Sequence, residues 1–111
     1  MEKIVKLCSF DELVDGNGKL FFVDKEEIVV FREGNKLLAF SNVCPHNHAH
    51  KMFKGLLKNS QITCPIHHYT YCAITGFPKN SAVGVLKTYK VLLQNNEVLV
   101  KIDPSNFNFK F

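Results

Sequence analysis

Apolar and polar positions along this chain alternate with the period of strands rather than helices. Lys3 to Cys8 sets Ile4, Lys6 and Cys8 on one face against Val5 and Leu7 on the other; Lys19 to Asp24, Ile28 to Arg32 and Lys36 to Phe40 are apolar runs of strand length. Turn chemistry separates them: Asp15-Gly16-Asn17-Gly18, then Glu33-Gly34-Asn35, which reads as a hairpin. The same order returns near the end, where Leu86 to Leu93 and Val98 to Ile102 flank Gln94-Asn95-Asn96. Only Ser9-Phe10-Asp11-Glu12 has the look of a helix start, with Ser9 as cap and Glu12 completing a capping box, and it opens a turn or two at most. The pattern predicts an all-β domain of mostly antiparallel strands, a sandwich or small barrel without internal repeat or linker. From Asn42 to Ala82 the alternation fades into His, Cys, Pro, Gly and aromatic residues. So long a stretch inside a compact domain needs something to organise it.

Length and composition narrow the class. The chain has 111 residues, enough for one domain spanning 1–111, and its 46% hydrophobic and 22% charged content excludes a disordered polymer. No apolar run approaches the roughly 20 residues that cross a bilayer, and Met1 to Lys6 carries charge where a signal peptide is apolar, so no membrane association and a cytoplasmic location are expected. Four cysteines are too few for a disulfide scaffold; beside histidines they point to metal or catalysis.

Charge is segregated. Residues 1–33 hold eight carboxylates against five bases, whereas Gly34 to Asn96 contains seven lysines, Lys36, Lys51, Lys54, Lys58, Lys79, Lys87 and Lys90, and no Asp or Glu. All five histidines lie in that acid-free stretch. Nucleic acid is not the expected partner, because Arg32 is the only arginine and no RNA-binding or helix-turn-helix pattern occurs. An acidic protein surface suits such a face better, since complementary charge speeds encounter.

Two pairs carry the chemistry: Cys44-Pro45-His46 and Cys64-Pro65-Ile66-His67, with seventeen residues between them. Two thiolates and two imidazoles on two tight loops can converge on one inorganic centre, and the proline after each cysteine stiffens its loop. A four-coordinate zinc site uses the same ligand types. The pattern C-x-H followed by C-x-x-H resembles the Rieske 2Fe-2S family over nearly the whole chain. The resemblance implies one 2Fe-2S cluster, with Cys44 and Cys64 on one iron and His46 and His67 on the other. Finger-type zinc sites usually pair like with like, whereas here each loop supplies one of each. Gly76, Phe77-Pro78, the segment Leu86 to Val91 and the closing Asn96 to Val100 also resemble the family's second-loop glycine, proline loop and final strands. The implied architecture is a Rieske-like antiparallel sandwich or small barrel, with a two-loop cluster-binding insertion at about 42–82.

Departures from the family pattern sharpen the expectation. The high-potential branch carries a loop disulfide where this chain has Ala49 and Ile66, so none can form. That branch also has a serine and a tyrosine near the second histidine; this chain has Tyr69 and Tyr71. A potential in the lower half of the roughly −150 to +300 mV Rieske range is implied, lifted slightly by Tyr71, and falling at alkaline pH as the ligand imidazoles lose protons. His48 and His68 replace glycines the family often uses, so the sequence leaves open whether those positions take positive φ. His48, His50 and His68 are surplus imidazoles. Cys8 reads as a small core residue, and Cys72 sits where relatives often carry Asp or Asn; neither is assigned to iron.

A body this small has little room for a substrate pocket, and no glycine-rich dinucleotide fingerprint is present. The expected role is therefore a ferredoxin without catalysis of its own, passing one electron from a reductase to an oxygenase or other oxidoreductase. The alternatives are an accessory subunit of a larger enzyme such as a nitrite reductase, whose mark would be lost ligands where this chain keeps all four, and a zinc-stabilised binding module. The tail Phe107-Asn108-Phe109-Lys110-Phe111 alternates as if to cover a sheet edge.

Overall fold

In the computed structural model, described here for residues 3–45, 48–66, 68–79 and 84–102, nine strands form two antiparallel sheets. The larger sheet comprises β1 (Lys3–Ser9), β2 (Gly18–Val23), β3 (Glu26–Glu33), β4 (Lys36–Ser41), β8 (Thr88–Gln94) and β9 (Glu97–Ile102), in the order β1-β9-β8-β4-β3-β2. The smaller one is a meander of β5 (Leu56–Lys58), β6 (Gln61–Thr63) and β7 (Thr70–Cys72). The phenylalanine tail lies outside the described residues.

The hairpins follow from their turns. Gly34 takes φ +65 between β3 and β4, and Asn95 and Asn96 both take positive φ between β8 and β9, the geometry that matches strand twist. Ser9 opens a single 3-10 turn, Phe10–Glu12, with its N–H donating to Glu12 Oε2 at 3.1 Å. One expectation needs correction. The alternation of Ile4, Lys6 and Cys8 breaks at a bulge, where Lys6 pairs with Leu99 and Cys8 with Val98. Ile4 and Lys6 are exposed while Cys8 is buried, because the extra residue lets Leu7 and Cys8 both reach the core.

Strand β3 explains how the two halves share one wall. Its run Ile28-Val29-Val30-Phe31 is buried on both faces, as a continuous apolar strand must be. Ile28 and Val30 join Ala39, Val98, Val100 and Ile102 in the core of the curled large sheet. Val29 and Phe31 face the other way, with Leu38 and Phe40, and meet Met52, Ile62, Tyr71 and Leu86 beneath the smaller sheet. Phe31 and Phe40 stack with ring centroids 5.6 Å apart. The edges β1 and β2 are joined by the Lys3–Asp24 ion pair at 3.0 Å.

Candidate metal centre

Cys44 and Cys64 stand at the heads of two loops rising from this second core, and both are buried in it. Their backbones repeat one design. Cys44 N–H donates to the Ala49 carbonyl (2.9 Å) and His48 N–H returns to the Cys44 carbonyl (2.8 Å); Cys64 N–H donates to Tyr69 (2.8 Å) and His68 N–H to Cys64 (2.9 Å). In both loops the fourth residue after cysteine turns left-handed, His48 at φ +59 and His68 at φ +63. The histidines thus adopt the conformation that glycine would take, at a cost of about 1–2 kcal/mol each.

A third loop has the same form. Cys72 N–H donates to Phe77 (2.9 Å), Gly76 N–H donates to the Cys72 carbonyl (2.7 Å), and Gly76 takes φ +84. Only glycine fits there, because a Cβ would strike the Leu86 carbonyl oxygen. The Cys72 thiol accepts hydrogen bonds from the Thr75 side chain and main chain and from Ile74, which hold its pKa below the ordinary thiol value. Cys72 therefore does what an Asp or Asn would do in such a turn. It remains a thiol, as does Cys8, whose pKa burial pushes up.

Tyr71 lies between the paired loops, fully buried. Burial first, then the neighbouring Cys44 with which its hydroxyl hydrogen-bonds, pushes the phenol up to about 12. The hydrogen bond expected of Tyr71 is thus aimed at a cysteine sulfur.

The two loops are fastened differently. The second is flanked by paired strands, with Thr63 opposite Thr70 and their hydroxyls 2.9 Å apart. The first has one bridge, Val43 to His50, and a polar mount that the sequence reading missed. Asn42, only 1% exposed, donates through Nδ2 to Glu27 Oε1 (2.9 Å) and accepts through Oδ1 from the Phe53 N–H (2.8 Å). His50 Nδ1 meets Glu27 Oε2 at 2.8 Å. The two Glu27 contacts span 15 and 23 residues, beyond any local pattern.

His46 and His67, the imidazoles assigned from the sequence, lie outside the described residues. The described donors fit an iron–sulfur group: two buried thiols on matched loops, and a tyrosine hydroxyl on one of them. The rim above is open, with His48, Pro65, Ile66 and His68 exposed. Lys51, Lys54, Lys58 and Lys79, on the segments between and after the two loops, are exposed, and none is ion-paired with a described carboxylate.

Known proteins resemble this chain in sequence and fold. The ferredoxin component of biphenyl 2,3-dioxygenase from Rhodococcus jostii is 29% identical over 101 residues, covering 90% of this chain and 94% of that one. The solved ferredoxin of carbazole 1,9a-dioxygenase from Nocardioides aromaticivorans superposes with a TM-score of 0.82 at 32% identity, covering 88% and 96%. A ferredoxin solved in complex with the oxygenase of carbazole 1,9a-dioxygenase superposes at 0.79 with 26% identity, covering 87% and 91%. With residues 3–90 matching the Rieske [2Fe-2S] domain, the chain belongs to that family.

Proposed function

We propose that this single-domain chain carries one electron at a time from a reductase to an oxygenase, with Cys44, His46, Cys64 and His67 as the ligands of its Rieske-type cluster. The observation that carries the reading is the pair of matched loops, each presenting one buried cysteine to the same apolar floor. When bound, the cluster takes up and gives back a single electron. The chain's residues do the rest. Met52, Ile62 and Leu86 keep water from beneath the thiols, and Tyr71 donates to Cys44. The exposed rim at Pro65, Ile66, His48 and His68 leaves an approach for a partner.

The exposed lysines define the partner's chemistry. Lys58 and Lys79 line a shallow polar groove with Asn59, Gln61, Thr63 and Thr70, and Lys51 and Lys54 lie on the segment after the first loop. A docking face rich in carboxylates fits them and leaves readily, as a carrier requires. Reduction by the reductase should slow as ionic strength rises; a salt-independent rate would remove the acidic face. No helix among the described residues is long and apolar enough to cross a membrane, and a reduced-thiol protein of this kind suits the cytoplasm.

The decisive test is electron paramagnetic resonance of the dithionite-reduced protein with iron and zinc analysis. Two irons per chain with a Rieske signal are expected. Stoichiometric zinc without iron in anaerobically purified protein would overturn the reading.

A further inference from the structure

We infer that Glu27 is a positioning residue for the first cluster-binding loop, acting through Asn42 and His50. The inference rests on Cys44 and its loop holding the cluster, as proposed above. The second loop is closed by its own flanking strands, β6 and β7. The first is flanked by one isolated bridge, so its two sides need another fastening. Glu27 supplies it, one carboxylate oxygen to each side: Oε1 accepts from Asn42, two residues before Cys44, and Oε2 meets His50, six residues after it.

Asn42 transmits the hold. Its four polar groups are all used: N–H to the Glu27 carbonyl (3.0 Å), carbonyl from Met52 N–H (3.1 Å), Nδ2 to Glu27 and Oδ1 from Phe53 N–H. The adjoining Val43 N–H donates to Ser41 Oγ at 3.0 Å. Removing the Glu27 carboxylate strands a buried amide donor two residues from the sulfur and releases His50, the loop's other side. The far end of the same strand offers a control. Glu33 accepts from both the N–H (3.0 Å) and the hydroxyl (2.8 Å) of Ser60, in the β5–β6 turn, and bonds to neither cysteine loop.

The experiment uses the full-length, cluster-loaded protein and its Glu27→Ala, Glu27→Gln and Glu33→Ala variants. It reads iron release into EDTA, the g values and line widths of the reduced cluster, and melting temperature. Glu27→Ala should release iron at least fivefold faster with a broadened or shifted spectrum. Glu27→Gln, which keeps an oxygen for Asn42, should lie between it and the parent. Glu33→Ala should keep the parent spectrum and release rate even where it melts as early as Glu27→Ala. Should Glu27→Ala fail to fold, Glu27→Gln alone decides, by a rate and spectrum that depart from the parent or match it. Parent-like behaviour in the Glu27 variants, or the same change in Glu33→Ala, would overturn the inference; a parent protein without iron would instead overturn the reading beneath it.

Discussion

The two cysteine loops have the same backbone and different supports. Both close with a hydrogen bond from the cysteine N–H to the residue five positions on, and both hold a histidine left-handed one position before it. The second is secured by strand pairing and a threonine pair, the first by a carboxylate reaching from β3. Equivalent placement of two sulfurs thus does not require equivalent scaffolding. Main-chain pairing resists acid, whereas a carboxylate mount depends on its charge.

The equivalence breaks most sharply at the sulfurs. Cys44→Ser and Cys64→Ser are each expected to abolish cluster binding, read as loss of iron and visible absorption; retention in one variant would show unequal loops. Next in size is Gly76→Ala, in the third loop of the same form. Positive φ and the collision with Leu86 should cost about 2–5 kcal/mol in denaturant melts.

Acid should separate the supports. Hydrogen bonds from Asn42 and then His50 hold the Glu27 carboxyl below its usual range, and those from Ser60 do so for Glu33. Folded values below unfolded ones mean that the stabilisation is complete above the unfolded value of about 4.3 and fades as pH falls through the folded value. Melting temperature should therefore drop below about pH 4.5, and Glu27→Gln and Glu33→Gln should each flatten that drop. Unchanged slopes would mean that other carboxylates govern it.

Two smaller effects finish the comparison. Tyr71→Phe removes a donor to Cys44 and should lower the midpoint potential by roughly 20–40 mV, a fraction of a ~1 kcal/mol hydrogen bond. Thr63→Val should cost the second loop about 0.5–1.5 kcal/mol of stability without altering the spectrum.

Much of this was legible in sequence for local reasons. The long strands announced themselves by alternation or by apolar runs of strand length, and their hairpins by Gly34 and Asn95-Asn96, residues that accept the needed backbone angles. The spacing of Cys44 and Cys64 pointed to two short loops, which the fold brings to one apolar floor. Strands β5, β6 and β7 were hidden, being three residues each and too short to show a period. The left-handed turns at His48 and His68 contradict those residues' intrinsic preference and follow only from the hydrogen bonds around them. Glu27 was invisible as a partner of Asn42 and His50, since nothing local links residues brought together by the fold.

Ala49 and Ile66 stand where a sulfur–sulfur staple would otherwise tie the loops, so no thiol has to be oxidised to fasten them. Iron and sulfide can be delivered to the apoprotein under the strongly reducing conditions that keep both reagents usable, and an excess of dithiol during reconstitution should leave the yield of loaded protein undiminished.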